Sequence, residues 1–354
     1  MVVRSDLSSN LQVMPVGPFE SLLLLSFGGP NGNDDVIPFL ENVTRGRDVP
    51  AERLKVVAQQ YAMFDGKSPI NEQNLGLLEA LKEEIARRNY SLPTYWGNRN
   101  WHPFLTDTVQ KMAADGHQKS VCLVTSAFSS YSGCRQYHQD LENSLEKTGN
   151  QIEITRVRVF WNHPEFLGAV AERLTETLSD SNLPQNVRVL FTAHSLPESM
   201  SAACDYTEQL NEASELIMDL ASLSGEAEVV YQSRSGPPQI PWLEPDINDR
   251  LKELAEQQVA DVVVVPLGFV SDHMEVLYDL DTLAATTAQD LGIKLHRAHT
   301  VGTHPRFIAM LIDLIEEAAG IRQDRPAMGA CGPRPDQCAS NCCPPPARRP
   351  TARS

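Results

Sequence analysis

Eight short apolar, β-branched runs alternate with stretches of helical period along this chain. They lie near residues 21–27, 93–98, 120–126, 152–160, 187–193, 228–233, 261–266 and 294–300. Such alternation specifies parallel sheets with covering helices. Val262–Val265 is the clearest run, uninterrupted by polar residues as in a strand buried on both faces. Beyond it, Asp272, Glu275 and Asp279 fall at i, i+3 and i+7. That spacing predicts one acidic helix face, with Val276, Leu277 and Leu280 on the other. In open α/β sheets the loop from a strand's carboxyl end into the next helix is where ligands bind. A carboxylate row starting there, with His273 beside it, suits a metal cation. Without matching chemistry at other strand ends it is only a solvated face.

The second half of the chain echoes the first. Phe128, Tyr137 and Asp140 recur 141 residues on as Phe269, Tyr278 and Asp281, and His163-Pro164 with Phe166 recurs at the same offset as His304-Pro305 with Phe307. Leu25–Pro30 lies over Thr192–Pro197, and Arg99 over Arg234. A duplication is the reading: two similar four-stranded domains, 20–180 and 181–321, facing each other across a cleft. Residues 1–19 form an extension and 322–354 a tail, and the last helix of the second domain is expected to pack back on the first. The His-Pro pairs read as helix starts with proline at the first helical position. The overlay puts Phe27 where the second half has His194, and Cys134 where it has Glu275. His194 ends the strand that starts at Val187, so two strand ends of one domain offer imidazole and carboxylate. Neutral imidazole binds divalent metals and accepts protons near neutral pH.

The net charge of −16 argues against a nucleic-acid surface and is compatible with a cationic substrate. No run approaches the ~18 apolar residues of a membrane span, and the first eighteen residues lack the apolar segment of a signal peptide. A cytoplasmic protein is expected, in which seven cysteines suggest metal or redox use. From about Arg322 the composition turns to Pro, Arg and small residues. Cys331, Cys338, Cys342 and Cys343 lie there within thirteen residues, as in a soft-metal or iron–sulfur site. Zinc and a redox-inert tail are the alternatives.

Leu25-Ser-Phe-Gly-Gly-Pro30, Ser68-Pro-Ile-Asn71, His194-Ser-Leu-Pro197 and Ser271–Asp281, in that order across about residues 20–320, together resemble the ferrochelatases. The resemblance implies two Rossmann-like, chelatase-like α/β domains, each with a four-stranded parallel sheet flanked by helices. It also implies insertion of Fe²⁺ into a porphyrin held in the cleft. Metallation removes two pyrrole N–H protons and strips water from iron, and a distorted ring exposes its nitrogen lone pairs. By resemblance His194 and Glu275 face the ring centre, as metal ligands or proton acceptors, and Asp279 continues a carboxylate track that feeds iron. Some relatives carry a further acid where this chain has Leu283. Phe27 stands where some bacterial relatives have a tyrosine that ligates product iron, so an axial protein ligand is expected from the His194 side.

Ser68 and Tyr137 match positions that touch the porphyrin or its propionates; Phe27 joins them, and Arg45 with Arg47 offers cations to the propionates. Some ferrochelatases, actinobacterial ones included, hold a [2Fe–2S] cluster on three C-terminal cysteines and one from the first domain. Cys134 stands at the first-domain position, with Cys331, Cys338 and either Cys342 or Cys343; Cys122 and Cys204 are outside the pattern. The likeness favours coproporphyrin III over protoporphyrin IX as substrate. Cobalt or nickel insertion into a related tetrapyrrole is a second enzymatic reading, and a non-catalytic haem- or metal-binding protein a rival of another class. A monomer is expected, with Fe²⁺ and porphyrin as its partners and no nucleic acid or membrane span.

Overall fold

The computed structural model describes residues 14–46, 49–149, 151–236 and 239–345. Strands β1 (Ser21–Ser26), β2 (Thr94–Asn98), β3 (Lys119–Val124) and β4 (Glu153–Arg156) form one parallel sheet in the order 2-1-3-4. Strands β5 (Arg188–His194), β6 (Ala227–Gln232), β7 (Asp261–Val265) and β8 (Lys294–Arg297) form the second in the order 6-5-7-8. The two orders are the same when each half is counted from its own first strand. Met14–Pro15 and Tyr90–Ser91 add a short parallel pair. Two four-stranded parallel sheets flanked by helices make up the fold.

Strand periodicity explains why the runs read as continuously apolar. Leu22 and Leu24 enter one core while Leu23 and Leu25 enter another. In β7, Val262 and Val264 likewise part from Val263 and Val265. Both faces of these strand interiors are therefore buried, which is why their middles are uninterrupted by polar residues. One core is common to the two sheets. Helix Pro164–Asp180 packs against helix Tyr206–Leu220 and strand β7 of the second half. Helix Pro305–Ala318 crosses back onto helix Ile70–Arg87 and strand β3 of the first. Arg158 and Glu317 form a fully buried ion pair at this crossing, at 2.8 Å.

His163 and His304 do start helices. Each ring Nδ1 accepts the backbone N–H two residues on, at 3.2 and 3.3 Å, and proline follows as the first helical residue. One part of the overlay shifts. Ser26 pairs with Asn98 and Ala193 with Tyr231, while Asn98 bridges Phe104 and Tyr231 bridges Asp246. Arg99 therefore lies over Gln232 rather than Arg234, because the loop leaving β6 is longer. Among the described residues no helix is long and apolar enough to cross a membrane.

Candidate active site

His194 is the last residue of β5 and Glu275 the second residue of the helix that starts at Met274, after β7. His194 Nε2 lies 3.8 Å from Glu275 Oε2, with the side chains 31% and 51% exposed. The other ring nitrogen, Nδ1, is 2.6 Å from the carbonyl of Ser195. A carbonyl only accepts, so Nδ1 carries a proton, and Nε2 is the ring nitrogen turned to the carboxylate side. Tyr206 donates its hydroxyl to the His194 carbonyl at 3.1 Å, which fixes the strand end. On the other side, His273 caps the helix: its Nδ1 accepts the Glu275 N–H at 3.2 Å. Gln232 donates to the Glu275 carbonyl at 3.4 Å. Burial holds the His273 imidazole below its ordinary range, which keeps it an acceptor at the cap.

The acidic row differs from the periodicity expected of it. Only Met274–Val276 is α-helical, and Leu277–Ala284 is a π-helix. A π-helix bonds i to i+5 and needs more residues per turn, so side chains four apart fall closer to one line. Glu275 and Asp279 come near enough that the charge of one acts on the carboxyl of the other. Asp272 does not join them. It precedes the His273 cap, outside the helix, and accepts from Arg297 at 3.2 Å, which also holds Asp281. Asp279 accepts from the Ser233 hydroxyl. Burial, and secondarily the charge of Glu275, push its carboxyl up to about 6.

An apolar wall from the first half completes the site. Phe27, half-buried just past the end of β1, meets Phe39 edge-on at 6.2 Å, and Phe39 in turn packs on Tyr61 and Trp101. Met274, the neighbour of Glu275, is buried in this same cluster. Burial, helped by the Glu275 charge, raises the Tyr61 phenol well above its usual range. Tyr61, Trp101, Gln232 and Ser233 thus adjoin the site, although no spacing in the sequence marked them. The wall depends on contacts between segments far apart in the chain.

The remaining expected porphyrin contacts stand in the first half. Arg45 lies on an exposed turn, bonded to Asn42; Arg47 is outside the described residues. Ser68 is buried against Gly29, where a Cβ would come within 2.7 Å of the serine Cβ. Asn71 bonds both the N–H and the carbonyl of Gly29, at 3.2 and 2.7 Å. The Phe-Gly-Gly-Pro and Ser-Pro-Ile-Asn motifs therefore occur together because they pack together. Tyr137 is buried under the Arg99 guanidinium, 4.4 Å from its ring, and Arg99 pairs with Asp140 at 2.5 Å.

Most of the thiols gather where the tail meets the two halves. Cys134 sits in a π-helical turn, Tyr131–Arg135, near Cys338, which raises its thiol. The nearby Cys134 in turn draws the Cys338 thiol down to about 7. Cys342 is close enough to act on Cys338 as well. Arg135 donates to the carbonyls of Ala339, Ser340 and Cys342. Cys331 faces Glu212 instead, at 3.5 Å, next to Arg334, whose charge also acts on Cys338 and Cys342. Cys204 donates to the carbonyls of Met200 and Ser201, at 3.4 and 3.5 Å, and Cys343 is buried with its sulfur 3.6 Å from that of Cys342. Among the described residues no three His, Cys, Asp or Glu side chains converge on one ion position.

The chain matches known proteins over most of its length. The ferrochelatase family profile matches residues 20–319. A coproporphyrin III ferrochelatase of Frankia alni is 50% identical, over 95% of this chain and 89% of the relative. A ferrochelatase of Rhodopirellula baltica is 47% identical, over 92% and 93%. Among solved structures, SirB from Bacillus subtilis with Fe3+ superposes with a TM-score of 0.55 at 11% identity, over 85% of this chain and 96% of that one. At such low identity that likeness is one of fold. The chain belongs to the ferrochelatase family, enzymes of haem biosynthesis that insert iron into a porphyrin.

Proposed function

We propose that this ferrochelatase takes coproporphyrin III as its porphyrin and metallates it between His194 and Glu275. The observation that carries the reading is the approach of His194 Nε2 to the Glu275 carboxylate, both open to solvent beside an apolar wall. Ring metallation requires a base for two pyrrole protons and donors that replace water around Fe²⁺. The Nε2 lone pair and the carboxylate supply both capacities. Asp279, near Glu275, passes the cation or a proton to it, and the carboxyl near 6 suits that work around neutral pH. The wall of Phe27, Phe39 and Trp101 gives the macrocycle an apolar face. Phe27 has no oxygen, so an axial protein ligand to iron comes from His194. Arg45, on its exposed turn, is assigned to the carboxylate-bearing edge of the porphyrin.

The choice of coproporphyrin III rests on the relatives that carry that name. An anaerobic assay of the purified chain with Fe²⁺ against coproporphyrin III and protoporphyrin IX, side by side, tests it. Faster metallation of coproporphyrin III is expected, and equal or faster use of protoporphyrin IX refutes the preference.

A [2Fe–2S] cluster is the cofactor proposed for the tail. Cys134, Cys338 and Cys342 lie near enough to act on one another's thiols, the Arg334 charge reaches Cys331 as well as Cys338 and Cys342, and thiolates are the donors such a cluster takes. The residues that would hold it are Cys134, Cys331, Cys338 and Cys342 or Cys343. When bound, the cluster supplies a covalent cross-link that fixes a tail without helix or strand of its own. Visible absorption and acid-labile sulfide in the purified chain, both lost in Cys134→Ser, test the assignment.

A further inference from the structure

Two glutamines reach from one half to the other in the same way. Gln73 is the fourth residue of helix Ile70–Arg87, and Gln209 the fourth of helix Tyr206–Leu220. Each helix precedes the second strand of its half, β2 or β6. Gln73 Oε1 accepts the Asp272 N–H of the second half at 2.7 Å. Gln209 Oε1 accepts the Ser129 N–H of the first half at 2.8 Å, and its Nε2 donates to the Ser129 hydroxyl at 3.0 Å. Both amides belong to loops that leave a third strand, β7 or β3, and both stand just before a helix cap. Asp272 precedes His273, whose Nδ1 accepts the Glu275 N–H. Ser129 precedes Ser130, whose hydroxyl accepts the Gly133 N–H at 2.8 Å.

The two caps lead to different groups, the Cys134 turn in the first half and Glu275 in the second. The loop that leads to Glu275 is held from both halves. Its Asp272 carboxylate accepts from Arg297 on β8, while the Asp272 N–H is taken by Gln73. Met274, the next residue after the cap, is buried in the aromatic cluster of the first half. His194, by contrast, is held within its own half, by its place in β5 and by the Tyr206 hydroxyl on its carbonyl. Two residues before Gln73, Asn71 bonds both backbone groups of Gly29, in the loop that follows Phe27. The first turn of one helix thus fastens the loop behind the apolar wall and the loop that leads to the carboxylate.

We propose that Gln73 is a positioning residue for Glu275. It acts through the Asp272 amide: an amide pinned from the first half fixes how the chain enters the His273 cap, and the cap fixes the Glu275 backbone. The 3.8 Å between His194 Nε2 and the carboxylate is then set by the spacing of the halves. The proposal rests on the reading of Glu275 as a reacting group, whereas the hold of Gln73 on the loop does not. An N–H needs only an acceptor, so the side-chain oxygen of Gln73 is the part that matters. Its loss frees the loop, and a reacting group displaced by about 1 Å costs up to about a hundredfold in rate. Gln209 is the counterpart that holds the entry to the Cys134 turn.

The test uses the full chain. Gln73→Met keeps the length of the side chain and removes its acceptor, and Gln73→Glu keeps an acceptor oxygen. Both are assayed without oxygen, with Fe²⁺ and the faster of the two porphyrins. Gln73→Met is expected to lower kcat about tenfold and to leave KM for the porphyrin within about twofold. Gln73→Glu is expected to stay within about threefold of the wild-type kcat. Amide hydrogen exchange, followed by mass spectrometry, speeds up in peptide 271–277 of Gln73→Met and not in peptide 127–135; Gln209→Met shows the reverse. Wild-type kcat in Gln73→Met, or wild-type exchange in its peptide 271–277, overturns the proposal. So does a Gln73→Glu chain as slow as Gln73→Met, which reduces the residue to packing. If Glu275→Gln metallates at the wild-type rate, the reading of Glu275 fails by itself, and the exchange map still decides whether Gln73 holds the loop.

Discussion

The two halves of this molecule share a strand order and differ in what stands at their strand ends. In the second half β5 ends on His194 and the helix after β7 carries Glu275 as its second residue. In the first half the corresponding places hold Phe27, at an apolar wall, and Cys134, a thiol turned to the tail. Each half also has a π-helical turn after its third strand. The scaffold thus sets where a side chain is presented, and the residue type decides whether that place does chemistry, packs a ring or joins a tail.

The largest effect is expected where the halves differ most in chemistry. His194→Ala and Glu275→Gln should each lower the metallation rate by about 10²–10⁴-fold while porphyrin binding, followed by fluorescence, is kept. If binding is lost and the rate at saturation is not, the two residues hold the ring rather than serve the reaction.

Next comes the weld between the halves. Glu317→Gln leaves Arg158 charged and buried without its partner, at a cost of about 3–5 kcal/mol. Urea unfolding should report it as one shifted transition, because one apolar core spans both sheets. Two separate transitions would show the halves to be independent.

A smaller effect concerns pH. The Asp279 carboxyl is pushed up from its ordinary 3.8 to about 6. Between those values the folded chain keeps a proton that the unfolded chain has released, so stability falls as pH rises through that window. Asp279→Asn should remove this slope, as read from urea midpoints measured across the window. An unchanged slope would assign the titration elsewhere.

The smallest change restores an oxygen to the first half. Phe27→Tyr should leave the metallation rate within about tenfold, since no interaction unique to the transition state is removed. It should add a tyrosinate-to-iron band to the spectrum of the ferric product. The same band in the unaltered chain would refute the assignment of the axial ligand to His194.

Much of this was legible in the sequence, for a local reason. Buried strands need unbroken apolar runs, as Leu22–Leu25 and Val262–Val265 have, and a duplicated topology leaves motifs at a constant offset. His194 and Glu275 could be placed at neighbouring strand ends because a residue just past such a run can only sit at the sheet's rim. The acidic row was less legible. Helical period is read for an α-helix, and the chain switches to a π-helix at Leu277. The histidine cap left Asp272 outside the helix to pair with Arg297.

Sequence by itself determined the eight strands, the repeated plan and the imidazole and carboxylate at the strand ends, because each depends on residues within a few positions of one another. Tertiary structure alone decided that Arg158 and Glu317 pair where helix Pro305–Ala318 returns to the first half, and that Tyr61 and Trp101 wall the site. Those encounters join segments tens to hundreds of residues apart, and the path of the folded chain, not any local pattern, brings them within reach.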